Sequence, residues 1–168
     1  VRNDGGALAV WRIDVESGKK ELLGQIRPQT CWASQYYNAR QPRGCEGNYV
    51  EGAVTVGRRL WIATSGDGLF GVPLEGGGEP VHVGMAEGLP SDVVHAVAAA
   101  EDGLYVACGQ YGTEGYLIEY DLAGKHCTVL ASTMRATPET PLDSLPGGFR
   151  IRGIVPDEPR GRLLLVVD

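Results

Sequence analysis

Three ionisable residues interrupt three otherwise small, apolar segments at the same place. Glu51 stands in Val50-Glu51-Gly52-Ala53-Val54, His95 in Val94-His95-Ala96-Val97-Ala98 and Arg152 in Ile151-Arg152-Gly153-Ile154-Val155. A guanidinium grips an anion through a planar fork of donors, and an imidazole titrates near neutrality. Brought together, the three side chains would bind a small polar ligand or ion. The competing reading is a solvated wall whose charges compensate one another. Gly52, Ala96 and Gly153, which follow directly, leave room for a crowded site.

Other residues with chemical potential form no recognisable set. Cysteines stand at 31, 45, 108 and 127 without a Cys-x-x-Cys pair, so the zinc-ribbon and c-type haem signatures fail. In an oxidising compartment Cys31 and Cys45 could pair, and a disulfide closing a loop of about 15 residues would add about 3 kcal/mol. Cys108 and Cys127 read as small buried hydrophobes. Histidines at 82, 95 and 126 have acids to pair with, but no Gly-x-Ser-x-Gly elbow supplies a nucleophile, and no catalytic residue is assigned. Ser65-Gly66-Asp67-Gly68 lacks the alternating oxygen ligands of a calcium loop and reads as a turn. No Gly-x-x-x-x-Gly-Lys phosphate cradle occurs. Neither metal nor cofactor is expected from these residues.

The segment from Arg27 to Asn48 is longer than the roughly 15 residues at which unstructured connections become unusual. Trp32, Tyr36, Tyr37 and the adjoining Tyr49 make it aromatic. Such rings bury a large area at low entropic cost, which suits an interaction loop. The alternative is that they tuck onto their own sheet.

The elements that must hold these residues are strands. The chain has 168 residues and 25 glycines, a length for one domain and too much glycine for a helical bundle. No window keeps apolar residues at helical spacing beyond two turns without meeting Gly or Pro. Short apolar runs such as Leu8 to Val15, Leu60 to Thr64, Leu69 to Leu74, Leu104 to Cys108 and Tyr116 to Leu122 alternate with turns such as Glu16-Ser17-Gly18, Asp102-Gly103 and Ala123-Gly124-Lys125.

The pattern repeats. Leu60-Trp61-Ile62-Ala63-Thr64 recurs as Leu104-Tyr105-Val106-Ala107-Cys108, roughly 44 positions on, and more weakly as Leu163-Leu164-Leu165-Val166-Val167. The segments holding Glu51, His95 and Arg152 each precede one copy. An all-β chain with this period predicts β-propeller blades of four antiparallel strands, with the first strand of each lining a central channel. The expected division is a half blade over 7–24, a loop insertion over 27–48, complete blades over 50–83 and 94–130, and a half blade over 149–168. Two blades and two halves are too few to close a ring, so the expectation is a fragment of a larger propeller or a piece that pairs with other chains.

Lys and Arg number 15 against 21 Asp and Glu, which leaves no basic face for nucleic acid. The adjacent Arg58 and Arg59 read as a solvated hairpin turn. The longest apolar runs fall far short of the roughly 20 residues that cross a bilayer as a helix, so membrane insertion is not expected.

Gly88-Leu89-Pro90-Ser91-Asp92-Val93-Val94-His95-Ala96-Val97, followed by Glu101-Asp102-Gly103-Leu104-Tyr105-Val106-Ala107, resembles the two-component-regulator type of propeller repeat. Leu60-Trp61-Ile62-Ala63-Thr64 and Gly68-Leu69-Phe70 supply the preceding unit. The region from Gly115 through Asp168 also resembles propeller regions of uncharacterised exported bacterial proteins. The resemblance implies sensing or binding outside the cytoplasm, without a kinase or DNA-binding segment in this chain. The function expected first is therefore a non-enzymatic binding or scaffold module for a protein or small polar ligand. The alternatives are part of a propeller enzyme, quinone-dependent or lactonase-like with calcium, and a structural domain of a large surface protein.

Overall fold

The computed structural model describes residues 7–27, 50–110, 114–132 and 151–167. They form twelve strands and two single-turn 3₁₀ segments, with no α-helix among the described residues. β1 (Leu8–Ile13) and β2 (Lys20–Ile26) make a hairpin. β3 (Val50–Val56), β4 (Arg59–Thr64), β5 (Leu69–Pro73) and β6 (Val81–Val83) make a four-stranded antiparallel meander. β7 (Val94–Ala99), β8 (Gly103–Gln110), β9 (Glu114–Asp121) and β10 (His126–Ser132) make a second. β11 (Ile151–Asp157) and β12 (Arg162–Val167) make a final hairpin. The described residues are thus all-β, with two four-stranded antiparallel sheets and two two-stranded hairpins.

Three apolar cores separate the four sheets in chain order. Val10, Leu23 and Ile26 from the first hairpin pack on Ile62, Phe70 and Val72 of the first complete sheet. Trp61, Ala63 and Leu69, on that sheet's other face, pack on Leu104, Val106, Ile118 and Tyr120 of the second. Ala98, Ala107 and Leu117, on the second sheet's far face, pack on Ile151 and Ile154. Each complete sheet is covered on both faces, which explains why Leu69 to Val72 are buried without alternation. At about 1.5–3 kcal/mol per fully buried aliphatic side chain, these faces dominate the drive to stack. Among the described residues no strand pairing joins the first hairpin to the last.

The registers carry the repeat down to individual pairs. Leu60 faces Val72 and Ile62 faces Phe70, as Leu104 faces Tyr120 and Val106 faces Ile118. The two arginines at the first sheet's hairpin part company. Arg58 is exposed and pairs with Glu75. Arg59 lies in β4, is half-buried, and donates from Nη1 to the carbonyl of Gly71 at 2.8 Å. It is thus part of the sheet rather than of a solvated turn.

Candidate functional site

Glu51, His95 and Arg152 occupy one feature repeated three times. In β3, Val50 pairs with Thr64 and Gly52 with Ala63, so Glu51 is an extra residue without an opposite number. In β7, Val94 pairs with Cys108 and Ala96 with Ala107, which leaves His95 in the same position. In β11, Ile151 pairs with Val167 and Gly153 with Val166, which leaves Arg152. Each is a β-bulge, and a bulge takes one residue out of the ladder and re-aims its side chain. Strict alternation would have sent His95 and Arg152 into the cores that hold Val97 and Ile154.

The strands that carry them are neighbours. β7 packs against β3 on one side and β11 on the other, so the first strands of successive sheets lie side by side. The backbone at Gly52 approaches Val97 of β7, where an added Cβ would stand 3.8 Å from Val97 Cγ1. Glu51 and His95 are partly buried and Arg152 is exposed. His95 Nε2 lies 2.8 Å from the carbonyl oxygen of Gly109, at the end of β8. An imidazole nitrogen facing a carbonyl must donate, so the neutral ring carries its proton on Nε2. One group of each kind, an acid, an imidazole and a base, therefore stands at equivalent positions of three adjoining strands.

A second polar cluster was not legible in the sequence. The turn Thr64–Gly68 links β4 to β5 and is held by the buried Thr64, whose hydroxyl donates to the Gly68 carbonyl at 3.0 Å and accepts from the Asp67 amide at 3.1 Å. His82 Nε2 lies 2.8 Å from the Asp67 carbonyl oxygen, and the Gly68 amide donates to the Asp92 carbonyl at 2.7 Å. The Asp92 carboxylate in turn accepts from the Met85 amide. Gly68 has φ +68°, and a Cβ there would stand 2.2 Å from the Val83 carbonyl oxygen. These bonds seam the first complete sheet to the start of the second. His82 and Asp92 lie far from residue 67 in sequence and share no motif with it, so only the Thr-x-x-x-Gly spacing of the turn could have pointed there. Among the described residues no group of three His, Cys, Asp or Glu side chains is placed to hold a metal ion.

Cys108 is buried in the core between the complete sheets, and burial pushes its thiol pKa up to about 12. Cys127 is half-buried, its thiol pKa also raised by burial, and it donates to the Gly88 carbonyl. A thiol held protonated is a poor nucleophile and a poor metal ligand. Trp32, Tyr36, Tyr37 and Tyr49 of the expected interaction loop, and the expected disulfide partners Cys31 and Cys45, lie outside the described residues. No helix among the described residues is long and apolar enough to cross a membrane. No family model and no curated protein matches this sequence.

Proposed function

We propose that this chain is a non-enzymatic binding module of the regulator-propeller type, in which the stacked sheets are blades and the row Glu51, His95, Arg152 faces a channel and takes a small polar ligand bearing an anionic group. One observation carries the reading: three side chains of different charge coincide with three equivalent bulges on adjoining strands. A bulge disrupts the ladder locally, and such features recur next to binding sites, where they re-aim side chains. Arg152 supplies the anion contact, His95 a ring held in place by the Gly109 carbonyl that packs beside the ligand, and Glu51 the counter-charge that orients a ligand with an amino group.

The test is titration of the folded chain with citrate, phosphate and glutamate, following the His95 ring protons by NMR. A saturable shift with at least one probe is expected. Arg152→Gln should weaken it at least about tenfold, the effect of losing one charge-assisted contact. Absence of a shift with all three probes, or an Arg152→Gln variant that binds as the parent does, would remove the reading.

A further inference from the structure

The order and pitch of the three bulge residues select among polar ligands. β7 packs against β3 on one side and β11 on the other, so His95 stands in the middle of the row, with Glu51 and Arg152 at its ends. The acid and the base are separated by a whole strand. A ligand that meets both has to carry its ammonium and its carboxylate well apart.

Gly52 sets the first step of the row. A Cβ there would stand 4.0 Å from the Val97 amide nitrogen of β7. The Gly52 Cα lies one bond of about 1.5 Å behind it, so the backbone of β3 comes within about 5.5 Å of β7. The step from β7 to β11 lies between the roughly 5 Å of paired strands and the roughly 10 Å of stacked sheets. Two steps put Glu51 and Arg152 roughly 10 to 16 Å apart along the row. Equivalent bulges re-aim their side chains alike, so the charged heads keep a similar spacing. A charge-assisted hydrogen bond takes roughly 3 Å at each end, which leaves roughly 4 to 10 Å between the charges of the ligand. An extended carbon chain advances roughly 1.25 Å per bond, so the two bonds from nitrogen to carboxyl carbon in an α-amino acid fall short. The four of γ-aminobutyrate and the six of ε-aminocaproate fit.

We propose that the row takes an ω-amino acid, a dipolar chain whose ammonium meets Glu51 and whose carboxylate meets Arg152 while its methylene linker crosses the His95 ring. This specificity rests on the ligand reading above and adds a length to it. The ring is fixed beside the linker because His95 Nε2 is held by the Gly109 carbonyl at 2.8 Å. An α-amino acid brings the same two charges and engages one end of the row at a time.

The test titrates glycine, γ-aminobutyrate, ε-aminocaproate and hexanoate into the folded chain and follows the His95 ring protons. Both ω-amino acids should bind at least about tenfold more tightly than glycine, which has the same charges, and than hexanoate, which lacks the ammonium. Glu51→Gln should abolish the advantage over hexanoate and leave citrate binding undiminished. Far-ultraviolet circular dichroism checks that this variant keeps its β-structure, and the comparison among the four ligands stands without it. Equal affinity for glycine and ε-aminocaproate, no gain of the ω-amino acids over hexanoate, or a folded Glu51→Gln variant that keeps this gain would each overturn the proposal. Binding of citrate without response to either ω-amino acid would overturn it and leave the ligand reading standing, whereas silence toward citrate, phosphate and glutamate as well would remove both.

Discussion

The two complete sheets share a strand plan and a register, yet they fill the same slots with different chemistry. In the first, Trp61 on the second strand faces Gly71 on the third; in the second, Tyr105 faces Glu119. On the second strand, opposite the residue that precedes the bulge, stands Thr64 in one and Cys108 in the other. The end of the third strand is Pro73 in one and Asp121 in the other. Each difference is a substitution of mechanism at constant geometry: ring over empty space against ring beside a polar chain, hydrogen-bonded turn against apolar packing, imino ring against side-chain cap. The repeat therefore specifies positions and faces, and leaves the local means of stabilisation free.

The largest test of this contrast is at the cross-strand pair. The Trp61 indole lies over Gly71 so closely that a Cβ on Gly71 would stand 2.9 to 3.0 Å from three ring atoms. Trp61 is buried in the core between the complete sheets, so the ring has little room to withdraw. Gly71→Ala should cost about 3 kcal/mol, an overpacking penalty, in a urea melt. Glu119→Ala at the matching position should stay within about 0.5 kcal/mol, since Glu119 is partly solvated. Equal costs would mean that the two slots are stabilised by the same means.

The intermediate test is at Thr64 and its counterpart Cys108. Thr64→Val keeps the shape but deletes the hydroxyl that the Asp67 amide donates to, and leaves that buried amide without this partner. A loss of about 2 kcal/mol is expected. Cys108→Val removes only a protonated thiol from an apolar site and should cost under about 1 kcal/mol. Comparable losses at both positions would show that Thr64 acts by packing rather than by hydrogen bonding.

These contrasts also mark how far the sequence could be read. The strands, their turns and the recurrence of Leu60 to Thr64 as Leu104 to Cys108 were legible, because period-two apolar runs and glycine turns act locally. Glu51, His95 and Arg152 were legible as polar intruders in apolar segments. Their bulges were not, because a bulge is defined by the partner strand, which must be in register before an extra residue exists. The seam from Thr64 through Asp67 to His82 and Asp92 stayed hidden for a related reason. It is made mainly of backbone carbonyls and amides, whose partners no residue type announces. Two adjacent arginines imply a solvated hairpin turn, whereas Arg59 lies in β4 and its guanidinium finds the Gly71 carbonyl.

The smallest expected effect separates the turns after the third strands. Asp121 accepts from the Ala123 amide at 2.8 Å, and backbone hydrogen bonds from Gly124 and Ala123 hold its carboxyl below the ordinary 3.8. Asp14, at the matching turn of the first hairpin, accepts from the Ser17 hydroxyl and amide and is lowered for that reason. The first complete sheet turns instead through Pro73, Leu74, Glu75 and a run of glycines, with no carboxylate at that position. A carboxyl whose folded pKa is depressed stabilises the fold above its unfolded value and loses that contribution as the pH falls through the folded one. Both turns should therefore weaken below about pH 4, while the glycine turn should not respond through this group. Because both carboxylates are open to solvent, the effect is small and screened by salt. Asp121→Asn and Asp14→Asn should flatten the acid limb of a stability-against-pH curve and leave the neutral plateau nearly unchanged, since an amide oxygen still caps the turn. A plateau that drops as far as the acid limb would mean that the charge of the carboxylate matters more than the shape of the cap, and the contrast between the turns would be one of charge.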